Sequence, residues 1–121
     1  MWIFTETGFV SAVAHGTRPN DLVVRARDRQ SLEQLATLAE ASVLVGIGTD
    51  YRYRIVCPVD VFKNWMEKNI RHIKYRNFKD RVHVTRGDDF ADALMDVWFA
   101  MTSVTDVRYD SNFGETNHGS L

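Results

Sequence analysis

Two short stretches in which apolar and polar side chains alternate strictly constrain this chain more than anything else in it. In residues 22–28, Leu22, Val24 and Ala26 point one way and Val23, Arg25 and Arg27 the other. In residues 51–57, Tyr51, Tyr53, Ile55 and Cys57 share one face, opposite Arg52, Arg54 and Val56. Period-two alternation belongs to a strand that buries one face only. The chain must therefore build a sheet with one covered face and one partly open face.

The other elements fit that requirement. Residues 2–5 and 9–14 read as a hairpin around Glu6-Thr7-Gly8, with glycine where the turn needs an unusual φ. Turn formers fill residues 16–21. Ser31-Leu32-Glu33-Gln34 has the form of a capping box, and Leu32, Leu35, Leu38 and Ala39 continue it as an apolar helical stripe. Residues 43–47 read as a short strand that turns at Gly48-Thr49-Asp50. Asp60 is placed to cap a second helix with the stripe Phe62, Trp65, Met66, Ile70 and Ile73. Residues 75–87 read as irregular, with one helical turn begun by Asn77. Asp88 or Asp89 then caps a last helix, with the stripe Phe90, Leu94, Val97/Trp98 and Met101. The order β-β-β-α-β-β-α-α, with short turns between successive strands, predicts an α+β fold. It has an antiparallel sheet of four or five strands with helices on one face. Residues 1–104 are expected to form one domain, with Trp65, Trp98, Phe62, Phe90, Leu94 and Ile55 buried together. Residues 105–121, polar and without periodicity, are expected to be a flexible tail.

A chain of 121 residues with 45% hydrophobic and 26% charged residues is sized and composed for one globular domain that folds without a metal or disulfide. Cys57, the single cysteine, has no internal partner. No signal peptide or long apolar run is visible, so a cytoplasmic protein with no membrane contact is expected. The net charge of −1 hides an asymmetry. Residues 63–86 carry eight Lys/Arg against two Asp/Glu, and residues 88–121 carry one Arg against seven Asp/Glu. The two segments either neutralise each other or form a basic face for an anionic partner. The first reading is preferred, because nucleic-acid modules usually also have a basic overall balance.

The opening MWIFTETGF, the strand VVRAR at 23–27, DYRYRI at 50–55 and YRNFKDRV at 75–82, together with Trp98, resemble a family of small uncharacterised bacterial and phage proteins. The resemblance covers about residues 1–104. It implies that these segments belong to one compact unit and that the chain has a mobile-element origin. It carries no activity and no catalytic residue across.

The strongest site signal is the arginine set. If the two alternating strands are neighbours, Arg25, Arg27, Arg52 and Arg54 converge on the open face. Guanidinium forks are suited to phosphate and carboxylate. Asn77 and Lys79 would close the rim of this surface. Against this stands the plain reading that each arginine solvates a strand and pairs with Asp28, Asp50 or Glu6. Tyr51 and Tyr53, which alternate with the arginines, belong in the core on this pattern. Gly46-Ile47-Gly48 lacks the third glycine and following helix of a dinucleotide fingerprint, and hairpin geometry accounts for it. Asp88, Asp89, Asp92 and Asp96 suit the start of a helix. His15, His72, His83 and His118 have no metal-ligand spacing. His83, among Lys79, Arg81 and Arg86, has the surroundings of a nuclease acid or base.

These residues predict a non-catalytic binding protein whose arginine-rich sheet face takes a phosphorylated small molecule or a nucleic acid. The alternatives are a protein-interaction factor, which the phage resemblance would make an inhibitor of a host defence system, and a phosphodiesterase or nuclease. No cofactor and no metal is expected.

Overall fold

The computed structural model describes residues 1–104 and Asp106; the predicted tail otherwise lies outside the described residues. Over the described residues the fold is α+β, with an open five-stranded antiparallel sheet and four helices. The chain divides into two compact units, Met1–Lys74 and a second that begins at Tyr75.

The first unit contains the whole sheet. Strands β1 (Trp2–Thr5), β2 (Gly8–Ala14) and β3 (Asp21–Ala26) lead into helix α1 (Gln30–Ala39). Strands β4 (Leu44–Val45) and β5 (Tyr53–Pro58) then lead into α2 (Val59–Arg71). The spatial order is β1-β2-β3-β5-β4, and every neighbouring pair is antiparallel. Gly8 closes the first hairpin with φ at +144°, a conformation that a side chain would strain.

Helices α1 and α2 cover one face of this sheet. The core combines Val10, Ala12, Val24, Ala26, Ile55 and Cys57 from the strands, Leu32, Leu35 and Ala36 from α1, and Phe62 and Trp65 from α2. Trp65 is the largest fully buried side chain. Its indole N–H donates to Gln34 Oε1 at 3.0 Å, which ties α2 to α1 and satisfies the one polar atom of the ring.

That bond corrects the capping-box expectation. Gln34 turns toward Trp65, and Ser31 is buried, its hydroxyl accepting from the Phe9 N–H at 3.2 Å. The carboxylate of Asp28 caps the turn instead, accepting from the Ser31 N–H at 3.1 Å. A long-range use for both side chains outweighed the local one. The strand expected at 43–47 shortens to Leu44–Val45, because a loop containing Gly48, at φ +75°, separates it from β5.

The second unit contains α3 (Phe78–Arg86), α4 (Asp88–Met101) and a 3-10 turn, Thr102–Val104. Asn77 does begin a helix, its Oδ1 accepting from the Asp80 N–H at 3.0 Å. The helix runs for nine residues rather than one turn, so the irregular reading of 75–87 is corrected. Val82, Ala91 and Leu94 are buried in this unit. Of the residues expected to be buried together, Ile55, Phe62 and Trp65 form part of the sheet core, and Phe90, Leu94 and Trp98 lie in the second unit. Phe90 and Trp98 are only partly buried.

Two outcomes follow from this packing. Trp65→Ala should destabilise the protein by roughly 3–5 kcal/mol in a denaturant titration, and Trp98→Ala by clearly less. Equal losses would contradict the assignment of Trp65 as the core residue. Burial pushes the Cys57 thiol above its ordinary range, and the Asp21 carboxylate adds to the effect; a backbone hydrogen bond from Phe62 opposes it. Cys57 should therefore ignore a thiol-selective disulfide reagent at neutral pH until denaturant unfolds the chain. Rapid labelling of the native protein would place it at the surface.

Candidate anion-binding face of the sheet

Strand register carries one residue of each strand onto a single row across the sheet. Trp2 of β1 lies opposite Ser11 of β2, Ser11 opposite Arg25 of β3, Arg25 opposite Arg54 of β5, and Arg54 opposite Leu44 of β4. Directly opposed residues share a face. The flanking positions Val10, Val24 and Ile55 enter the helix-covered core, so this row lies on the other face. On one side of it lie Val13, Val23 and Val56, also in register; on the other lie Phe4 and Phe9.

Two like charges are thus directly opposed at the middle of the sheet, an arrangement that is destabilising by itself. The Arg25 guanidinium donates to Ser11 Oγ at 2.8 Å and lies 4.6 Å from the centre of the Tyr51 ring. Arg54 donates to the Tyr51 carbonyl oxygen at 3.4 Å. Both side chains are partly buried, both Nε atoms are buried, and neither Nε has a hydrogen-bond partner. Neither residue has an acidic partner among the described residues.

The other two predicted arginines are placed differently. Arg27 follows the end of β3 and its guanidinium is bound by the Asp50 carboxylate at 3.0 and 3.2 Å. It also lies 5.2 Å from the Tyr51 ring centre. Arg52 is exposed and lies 5.9 Å from the Tyr53 ring centre, with Arg29 at 5.4 Å from the same ring. Arg52 also lines a shallow pocket of about 280 Å³ with Gly46, Ile47, Gly48 and Thr49. The four arginines therefore form one central pair, Arg25 and Arg54, and two outlying members. Asn77 and Lys79 belong to the second unit, Asn77 as the cap of α3 and Lys79 within that helix.

Tyr51 is buried as expected but on the other face: it precedes β5, and its ring lies against Arg25 and Arg27. The period stops counting where the strand stops. Tyr51 joins an aromatic chain, 6.4 Å from Phe9, which stacks on Phe4 at 4.5 Å and meets Trp2 edge-to-face at 6.0 Å. Sequence patterning missed Trp2, Phe9 and Ser11 as members of this face. The signal lay in the hairpin register, which a single strand's alternation does not contain.

The remaining candidates have local roles. His15 Nδ1 accepts from the Thr17 and Arg18 N–H groups, both at 3.1 Å, and orders the β2–β3 turn. His83 Nδ1 lies 2.8 Å from Asp88 Oδ1, linking the end of α3 to the start of α4. Asp92 and Asp96 are exposed on α4. Among the described residues, no group of three His, Cys, Asp or Glu side chains is arranged to hold a metal. No helix of the described residues is long and apolar enough to cross a membrane.

Comparison with family models, with curated proteins and with solved structures returned no match, so the functional reading rests on this geometry.

Proposed function

We propose that this chain is a non-catalytic binding protein whose open sheet face takes a phosphate-bearing ligand between Arg25 and Arg54. The observation that supports this reading is the opposed pair itself, with both Nε atoms buried and without hydrogen-bond partners. Buried donors are ordinarily satisfied, and leaving one unpaired costs roughly 1–3 kcal/mol. Opposing two cations adds to that cost. A phosphate placed between them answers the repulsion: its oxygens accept from the Nη–H donors at the partly exposed guanidinium tips, and its charge screens the two cations. The Ser11 hydroxyl and the Tyr51 ring, already in contact with Arg25, hold that guanidinium in place before a ligand arrives. Little ordering cost then remains. Arg27, paired with Asp50, offers no free fork to a ligand.

A second reading, a protein-contact surface, draws on the exposed Val97, Phe99 and Met101 of α4. It concerns the second unit and leaves the arginine pair without a role.

The test is thermal melting with sodium tripolyphosphate. A ligand at a hundred times its dissociation constant stabilises by about 2.7 kcal/mol, so the melting temperature should rise with concentration. Arg54→Gln should leave the unliganded melting temperature unchanged or raise it, because it removes a like-charge contact, and it should abolish the ligand-induced rise. Arg27→Gln should keep most of the rise. A rise that survives both Arg25→Gln and Arg54→Gln would place the anion elsewhere and refute the proposal.

A further inference from the structure

Resting on that reading, we infer that the ligand is single-stranded nucleic acid, with backbone phosphates on Arg25 and Arg54 and a base stacked on Trp2. The inference comes from what shares the row with the arginines. Trp2 is 71% exposed although it lies in a paired strand. It stands on the same face as Arg25, two strands away, or about 10 Å at the usual spacing of about 4.8 Å between strands. That is a span one extended nucleotide bridges from phosphate to base. The indole meets Phe9 edge-to-face, and such a contact covers at most one face of the ring. Phe9 is braced in turn by stacking on Phe4, so the platform is a supported one.

Phosphate donors and an exposed aromatic ring on one continuous surface are the two components that bind single strands without reading their sequence. A phosphopeptide or a small phosphate would engage the arginines and leave the ring idle. Duplex would offer phosphates and keep its bases stacked out of reach. The alternation of phosphate and base along a single strand uses both. The first unit is nearly balanced in charge, with ten Lys/Arg against eight Asp/Glu in residues 1–74. Binding should therefore depend on these specific contacts rather than on a general basic field.

The experiment measures fluorescence anisotropy with the full chain and three labelled probes. These are an oligothymidylate of about ten nucleotides, within the span one compact binding domain covers, an abasic oligomer of the same length and charge, and a blunt duplex. The oligothymidylate should bind tightest. Two phosphate contacts predict a slope of log affinity against log salt of about −1.4, far shallower than for a large basic surface. Trp2→Ala should weaken oligothymidylate binding roughly ten-fold or more while leaving the abasic oligomer unaffected, and Trp2→Phe should restore most of the loss. Trp2 is exposed enough for these variants to fold, which circular dichroism checks. Equal binding of the oligothymidylate and abasic probes, or no effect of Trp2→Ala, would overturn the base-stacking inference and leave the anion site standing. Tighter binding of the duplex would also overturn it. Loss of all binding, tripolyphosphate included, would remove both.

Discussion

The register between β3 and β5 is the constraint on which the rest of the first unit depends. Pairing Val24 with Ile55 places both in the core under α1 and α2. The same register pairs Arg25 with Arg54 on the opposite face. A slip of one residue in either strand would send that strand's arginine into the helix-covered layer and expose its core residues, so burial of the apolar set keeps the two arginines on one face. The opposed charges are thus not an accident that the sheet could relieve by sliding. Any relief must come from the side chains themselves or from something that binds them.

The side chains provide part of it. Tyr51 leaves the strand pattern and lies against Arg25 and Arg27, and its carbonyl oxygen accepts from Arg54. Ser11 accepts from Arg25. One donor on each arginine, the buried Nε, is left unserved. Arg71 behaves differently: it lies on the exposed side of α2, paired to Glu67 at 2.6 Å in the ordinary manner of a surface helix. The contrast separates an arginine that solvates an element from a pair held in a polar but incompletely satisfied setting.

Much of this architecture was legible in the sequence. Alternation in 22–28 and 51–57 located two of the strands and put Arg25 and Arg54 on one face on condition that those strands are neighbours, and the stripe through Phe62 and Trp65 located the helix that covers the other face. What failed were inferences that local pattern cannot support. Ser31 and Gln34 look like a cap, but the chain uses them over long range for Phe9 and Trp65. Tyr51 fits the alternation but lies outside the strand. Arg52 fits it as well, yet it lies beside Tyr53 with Arg29, near a glycine loop. The contribution of Trp2 and Phe9 to the arginine face depends on the pairing of β1 with β2 and β2 with β3, which no single-strand pattern encodes.

The central claim is that the Arg25 and Arg54 guanidiniums together bind one phosphate. The most direct measurement is the arginine side-chain amide spectrum by nuclear magnetic resonance, in which each Nε–Hε group gives its own signal. Titration with tripolyphosphate should move the Nε–Hε signals of Arg25 and Arg54 together and with one saturation curve, while Arg71, held by Glu67, stays in place. Uniform small shifts across all arginines, or stationary signals for Arg25 and Arg54, would contradict the account.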